Sequence, residues 1–255
     1  MTYTLEGMKL FSVALFCAVS AWTLEPQLAL PSDASVVLAR TRAALGGEKA
    51  LGAVNNFVVT GRTQQLRGIN LVPIEFEIAC ELPGKYVRRD EIPAQESEPT
   101  RVGFNGEAGI LQPPPSNVAT QPARLAAARQ DFARLTLGMF AGSFSALPLT
   151  FTLAGQAQAP EGKADVVDVR SAAGALGRLF IDSATHLPIM FSWPTTAQGK
   201  TTETRLYYGD YRETSGVTWP FRLKRAVGGD TVEETTFDKF KINTKIDPKK
   251  FEVSK

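Results

Sequence analysis

The chain has 255 residues, 44% of them hydrophobic, and a formal net charge of +2. This length is enough to bury a substantial core in one large domain or two small ones, and the hydrophobic content excludes a disordered chain. The charge close to zero gives no electrostatic reason to expect a nucleic acid or a strongly acidic partner.

The N-terminus has the layout of a secretory signal. The pair Met8-Lys9 supplies a short basic start, and residues 10–20 are apolar or small throughout. This run is shorter than the about 20 residues of a transmembrane helix, so an uncleaved membrane anchor is the less favoured interpretation. Glu6 weakens a basic start from Met1 and makes Met8 an alternative initiator. We therefore expect the protein to be exported.

The end of the signal is predicted from small residues. Val19 and Ala21 permit cleavage after Ala21, and a later cut near Ala29 is the alternative. Residues 1–21 are then the signal peptide, and residues 32–255 form a single domain.

The two cysteines lie on either side of this cleavage point. Phe16 stands where lipidation of Cys17 needs a small residue, so we do not expect a lipoprotein. Cleavage leaves only Cys80, which cannot form an internal disulfide. Cys80 alternates with Ile78 on the apolar face of a predicted strand, and this favours a buried small hydrophobe over a reactive thiol.

Two regions read as helix. Residues 31–45 have an apolar stripe, a cap at Ser32 or Asp33 and a stop at Gly46-Gly47, and residues 48–54 add a short further turn. Residues 122–138 form the only strong helix in the middle of the chain. Apolar residues recur along it at spacings of three and four, namely Leu125, Ala128, Phe132, Leu135 and Met139.

The rest of the chain alternates in the manner of half-buried strands. Ile74, Ile78 and Cys80 share one face of a strand, and Glu75 and Glu77 lie on the other. A second clear strand carries its apolar row at Val217, Trp219, Phe221 and Leu223. Strands are predicted at 57–66, 73–82, 85–92, 101–112 (a hairpin around 105–106), 150–156, 165–171, 176–181, 187–193, 201–214, 217–227 and 231–243. Regular short strands with turn signals predict an antiparallel sandwich or barrel of about ten or eleven strands.

Three short segments resemble exported bacterial proteins related to the periplasmic lipoprotein carrier LolA. They are residues 44–51, the block 208–222 with Tyr208-Gly209-Asp210-Tyr211-Arg212 and Trp219-Pro220-Phe221-Arg222, and the ending 243–251 through Asp247-Pro248. The resemblance implies a mainly β fold: an unclosed antiparallel β-barrel or half-barrel, with N-terminal helices and the inserted helix covering the concave face. It also implies a periplasmic or outer-membrane-associated protein whose cavity holds acyl chains. No individual ligand-contacting residue of the carrier can be matched to a position here.

The sequence contains few residues arranged in patterns typical of catalysis. His186 is the single histidine and follows a turn between two strands, where a surface turn residue is the expected role. The carboxylates of Glu75, Glu77 and Glu81 form a row that a solvated outer face explains better than a calcium site. No nucleophile, base or metal set can be assembled, so we expect no enzymatic activity and no cofactor, and a hydrolase has the least support.

Two hypotheses for function remain. The first is a monomeric carrier or chaperone that binds an apolar ligand, such as a lipid or an acylated protein, in the half-barrel. Its predicted lid and pocket residues are Leu125, Phe132, Leu135, Met139 and Phe140. The second is an envelope sensor or protein-interaction module whose core is filled by its own side chains and which binds a partner protein at an exposed edge or loop such as residues 94–100. An apolar stripe on a helix usually packs into the protein core. Only the resemblance makes a lid over a ligand an equally supported interpretation of the helix at residues 122–138.

Overall fold

A computed structural model describes residues 33–93, 95–159, 162–197 and 199–253. The predicted signal peptide and Cys17 lie outside the described residues.

Within these ranges twelve strands form one antiparallel sheet. They are β1 (Asn56–Arg67), β2 (Asn70–Glu81), β3 (Lys85–Glu91), β4 (Thr100–Asn105), β5 (Ala108–Gln112), β6 (Leu149–Ala159), β7 (Gly162–Ser171), β8 (Gly174–Asp182), β9 (Pro188–Ala197), β10 (Lys200–Thr214), β11 (Val217–Val227) and β12 (Asp230–Ile242). The helices are α1 (Ala34–Ala44), α2 (Glu48–Gly52) and α3 (Gln121–Phe140), with short 3-10 helices at Val118–Thr120 and Pro248–Phe251.

The spatial order of the strands is β5-β4-β3-β2-β1-β12-β11-β10-β9-β8-β7-β6. The sheet does not close, because β5 and β6 are its two edges, and this confirms the predicted unclosed β fold. The strand count is one above the expected range, since the hairpin around Asn105-Gly106 contributes two separate strands. Every neighbouring pair is consecutive along the chain except β1 and β12, which join a five-stranded part of the sheet to a seven-stranded part.

The alternation predicted for β2 and β11 is confirmed. Ile74, Ile78 and Cys80 are buried on the concave face, as are Trp219 and Leu223 on β11. A slip of one residue in β2 would turn a row of glutamates into this core, so the hydrophobic pattern fixes the register.

The turns on either side of β11 follow from their residues. Ser215 and Gly216 have φ of 55° and 78°, and Gly228 and Gly229 have φ of 62° and 102°. Positive φ at both central residues defines the type I′ hairpin, whose twist matches that of the strands it joins.

The N-terminal helices pack against the sheet. Asp33 caps α1, its side chain accepting a hydrogen bond from the Ser35 backbone N–H at 3.3 Å. Beyond the end of α1, the Thr218 backbone N–H donates to the Leu45 carbonyl at 2.9 Å. Gly46 lies so close to β11 that a Cβ there would stand 2.3 Å from the Gly216 carbonyl oxygen, so the chain passes only because residue 46 has no side chain.

The core has two parts. The larger part lies on the concave face, where Trp219 stacks on Phe240 at 5.0 Å between ring centroids and meets Phe140 of α3 edge-on at 5.3 Å. The smaller part lies on the convex face, where Ile246 and Phe251 from the C-terminal segment cover Val87 and its neighbours. Phe251 is only 1% exposed and anchors the C-terminal segment to the sheet. In the described part of the chain no helix is long and apolar enough to cross a membrane.

Candidate functional site: a cavity between α3 and the concave face

The helix α3 divides into two halves of different character. The first half, residues 121–131, is mostly exposed, whereas residues 132–140 are all buried. Leu135 and Met139 face the sheet as the spacing predicts, and the burial extends to Arg134 and Thr136. The second half is therefore embedded on every side, and only the first half lies at the surface.

Two tyrosines of β10 fix the embedded half. The Tyr208 hydroxyl donates to the Arg134 carbonyl oxygen. The Tyr211 hydroxyl lies 3.0 Å from the Gly138 carbonyl oxygen and 2.9 Å from the Pro188 carbonyl oxygen, and shares its proton between them. These contacts join the end of α3 to the sheet through buried polar groups, which are costly to separate without replacement partners.

A cavity of about 290 Å³ lies beneath α3 on the concave face. One part of its wall is apolar and includes Ile74, Ile78, Leu206, Leu223, Phe237 and the ring of Trp193. A larger depression of about 700 Å³ on the convex face has a charged lining that is already ion-paired, as in Glu77 with Lys250. Of these two, the concave cavity is the better candidate for a ligand with apolar parts.

The floor of this cavity is polar. Glu233 accepts hydrogen bonds from Gln65 at 2.9 Å and from Arg225 at 2.7 Å. Beside it the hydroxyls of Thr63 and Thr235 are 2.9 Å apart, so a row of hydrogen-bonded polar groups crosses β1, β12 and β11. The cavity is amphipathic as a result.

Arg88 joins this row from β3. Its Nη2 donates to the Thr63 hydroxyl at 3.2 Å, and its Nε lies 2.6 Å from the Asp90 carboxylate. Burial acts to lower the pKa of Arg88, but the charge and hydrogen bond of Asp90, together with Tyr86 and Glu233, more than offset it and the pKa is raised. The Arg88 cation is thus well compensated in place.

Arg134 lies in the roof and is compensated less well. It is 8% exposed, and its guanidinium lies 4.1 Å from the centroid of the Trp193 ring. It donates to Asp131 and to Gln130, both at 3.0 Å, but its Nε has no partner within the described part of the chain. Burial lowers the pKa of Arg134, and the Asp131 carboxylate, 69% exposed, offsets this only in part.

The five predicted lid and pocket residues do not all meet at this cavity. Leu135 lines it. Phe132, Met139 and Phe140 are buried in the core, and Leu125 lies half-buried against Gly109 of β5. Whether any of the five contacts a ligand stays a prediction.

Sequence reasoning missed the arginines of the cavity. Arg225 stands two residues after Leu223 in β11. Because side chains two residues apart in a strand point to the same face, this spacing indicates that Arg225 faces the concave side. Arg88 lies two residues after the buried Tyr86 in β3 and therefore shares its face. On β3 it is Arg89 that lies opposite Glu77, while Arg88 turns to the concave face. Arg134 carries no comparable signal.

The residues considered for catalysis are separated. His186 lies in the turn between β8 and β9 with φ of 59°. The glutamates of β2 lie on the convex face, where Glu77 pairs with Lys250 and Glu81 lies 2.8 Å from Lys85. Across the described ranges no three His, Cys, Asp or Glu residues are grouped as a metal site would need.

Comparison with known proteins identifies the fold. No protein-family model matches the chain, and no curated protein matches it in sequence. A LolA superfamily protein from Nitrosomonas europaea has a similar structure, with a TM-score of 0.57 at 11% identity, covering 86% of this chain and 97% of the other. A DUF1329 family protein from Desulfovibrio piger follows with a TM-score of 0.51 at 8% identity, covering 86% and 97%. The chain therefore has a LolA-like fold, as its sequence segments predict.

Proposed function

We propose that this protein is a non-enzymatic, exported envelope protein that binds an acyl chain of a lipid or lipoprotein in the cavity beneath α3, as a carrier or chaperone. The observation that carries this proposal is the apolar-walled cavity left between α3 and the concave face. The LolA-like fold supports it, because a similar half-barrel belongs to a superfamily named after a lipoprotein carrier.

The size of the cavity bounds the ligand. Ligand sites generally range from about 300 to 1,000 Å³, so a cavity of about 290 Å³ accepts one chain rather than several. Each buried methylene contributes about 0.8 kcal/mol, so one chain supplies useful affinity without strict selection of its length. The exposed half of α3, residues 121–131, is the segment that moves to admit it, because residues 132–140 are fixed in the core.

The location of the protein is part of the proposal. A basic start and an apolar run open the sequence, and the fold is shared with a LolA superfamily protein. Both support a periplasmic protein. We propose that it acts as a monomer, because residues of one chain enclose the cavity.

Native mass spectrometry of the mature protein, purified from its own envelope without harsh detergent, tests the proposal. We expect an adduct with the mass of a phospholipid, fatty acid or acylated peptide. Leu206→Trp should abolish the adduct by filling the cavity, whereas Tyr207→Trp on the opposite face of β10 should retain it. A protein that is free of lipid and stays so on incubation with lipids would overturn the proposal.

A second candidate is an interaction module with a self-filled core. Phe132, Met139 and Phe140 favour it, because they fill much of the concave face with their own side chains. Such a module would bind a protein at the edge strand β6 or at the loop before Thr100. A stable protein partner recovered from an envelope extract, together with a lipid-free mass, would favour this candidate over the carrier.

A further inference from the structure

We propose that the cavity beneath α3 selects a single-chain amphiphile with an anionic head, whose carboxylate or phosphate is held between Arg134 of the roof and Arg225 of the floor. This inference rests on the proposed function and names the chemical class of its ligand. The chain would lie along the apolar wall formed by residues such as Leu206 and Leu223.

Unpartnered donors are the first observation. The Nε atoms of Arg134 and Arg225 are both buried, and neither has a hydrogen-bond acceptor among the residues that the structure describes. Both residues line the same cavity, one from the helix and one from the sheet. A buried donor without an acceptor is costly, and such groups in a folded protein call for a specific explanation. An acceptor that enters with a ligand provides one.

The distribution of charge is the second observation. The positive charge of Arg225 acts on Arg134, so the two guanidinium groups repel each other across the cavity. The carboxylate that compensates Arg134 belongs to Asp131, which is largely in water, whereas Glu233 is already shared between Arg225 and Gln65. Each carboxylate of the cavity lining, Asp90, Asp131 and Glu233, is already paired with an arginine. The donors of Arg134 and Arg225 that these pairs leave unused would therefore stabilise an anionic group placed between roof and floor.

The position of the two arginines gives the ligand its orientation. Arg134 lies over the Trp193 ring, and Arg225 directly follows the apolar row that ends at Leu223. A polar end and an apolar wall thus lie within one cavity. Arg134 is held by Gln130 and Asp131, which are exposed residues of the surface half of α3. Movement of that half would release the guanidinium from these partners toward an entering head group.

The test compares three ligands with the same twelve-carbon chain: dodecanoate, dodecyl phosphate and uncharged dodecanol. Isothermal titration calorimetry on the mature protein measures the three affinities. We expect one of the two anions to bind about tenfold more tightly than dodecanol, because it accepts charge-assisted hydrogen bonds from two guanidinium groups. Whichever of the two anions binds more tightly identifies the head as carboxylate or phosphate.

Variants assign the preference to the two arginines. Arg134→Gln and Arg225→Gln should each reduce the preference for the anion to about threefold or less and leave dodecanol affinity nearly unchanged. Arg222→Gln is the matched control, because Arg222 pairs with Glu234 on β12 at 3.3 Å as Arg225 pairs with Glu233, but is exposed on the convex face. The control should retain the full preference.

The outcomes separate the two proposals. Equal binding of anions and dodecanol to the unaltered protein would overturn this inference and leave the proposed function standing. Binding of none of the three ligands would overturn both. If Arg134→Gln does not fold, Arg225→Gln alone tests the inference. If Arg225→Gln then loses no more of the preference for the anion than Arg222→Gln does, the inference is overturned.

Discussion

Gly138 of α3 lies directly against the ring of Tyr208 on β10. A Cβ at position 138 would stand 2.3 Å from two carbons of that ring, the Cδ1 and the Cε1. The Tyr208 side chain is buried and its hydroxyl is bonded to the Arg134 carbonyl one helical turn earlier, so the ring cannot move aside. The absence of a side chain at residue 138 therefore sets how closely α3 approaches the sheet.

Gly138→Ala should destabilise the protein by about 2 kcal/mol, because overpacking outweighs the gain in helix propensity. Urea unfolding measures the change. Gly209→Ala is the matched control, since a Cβ at the next residue of β10 would meet nothing within 4 Å. An equally stable Gly138→Ala variant would show that α3 can lie further from the sheet than described.

Removing the two tyrosine hydroxyls should loosen the end of α3. Tyr208→Phe and Tyr211→Phe each remove a buried hydrogen bond to the helix or to β9, at a cost of about 1 kcal/mol each. Hydrogen exchange should speed up most at residues 132–140 in the double variant. Unchanged exchange there, with faster exchange only at residues 121–131, would contradict the division of α3 into a fixed and a movable half.

The buried thiol predicts alkaline sensitivity. Burial raises the pKa of Cys80, so the folded state keeps a proton that the unfolded state releases above about pH 8.5. Stability then falls as pH rises, by up to about 1.4 kcal/mol per pH unit for one group. Urea unfolding between pH 8.5 and 9.5 should show this slope, and Cys80→Ala should remove it. A thiol reagent that modifies native Cys80 rapidly at pH 8 would contradict its burial.

The burial of tyrosines extends this effect to higher pH. Burial also raises the pKa values of Tyr86 and Tyr208. Their contribution begins above about pH 10, the ordinary tyrosine value, and should persist in the Cys80→Ala variant. The two pH windows therefore separate the thiol from the phenols.

At low pH, the turn between β8 and β9 should become less stable. The pKa of Asp182 is lowered by hydrogen bonds from the Thr185 backbone N–H at 2.6 Å and from its hydroxyl at 2.8 Å. A lowered pKa contributes stability that is present above about pH 4 and is lost as pH falls through the folded value. Asp182→Ala should cost about 1 kcal/mol at pH 7. The difference in the free energy of unfolding between Asp182→Ala and the unaltered protein should be smaller at pH 3 than at pH 7. A difference that is the same at both pH values would contradict this role of Asp182.

Local patterns in the sequence were sufficient for the strands and turns. The alternation of β11 from Val217 to Leu223 depends on neighbouring residues only and was found as predicted. The turns at Ser215-Gly216 and Gly228-Gly229 lie between the predicted strands. The overall fold came from short segments resembling the LolA group, not from periodicity.

The cavity was beyond prediction for a physical reason. Its polar floor exists because Thr63 of β1 lies opposite Thr235 of β12, two residues 172 positions apart, and no local pattern encodes that pairing. The burial of Arg134 likewise depends on Trp193, which reaches it from β9. Only the spacing of two residues between Leu223 and Arg225, and between Tyr86 and Arg88, was visible in the sequence.

The interior position of the β1–β12 pair also has a consequence for the order of folding. Strands β1 to β5 form one meander and β6 to β12 another, each assembled from neighbours along the chain. Phe57 and Ile242 become partners only when a loop of most of the domain closes, and long-range pairing of this kind is slow. Because β12 is the last strand along the chain, we expect β1 to have an unpaired edge until β12 is available, and the two meanders to join late in folding.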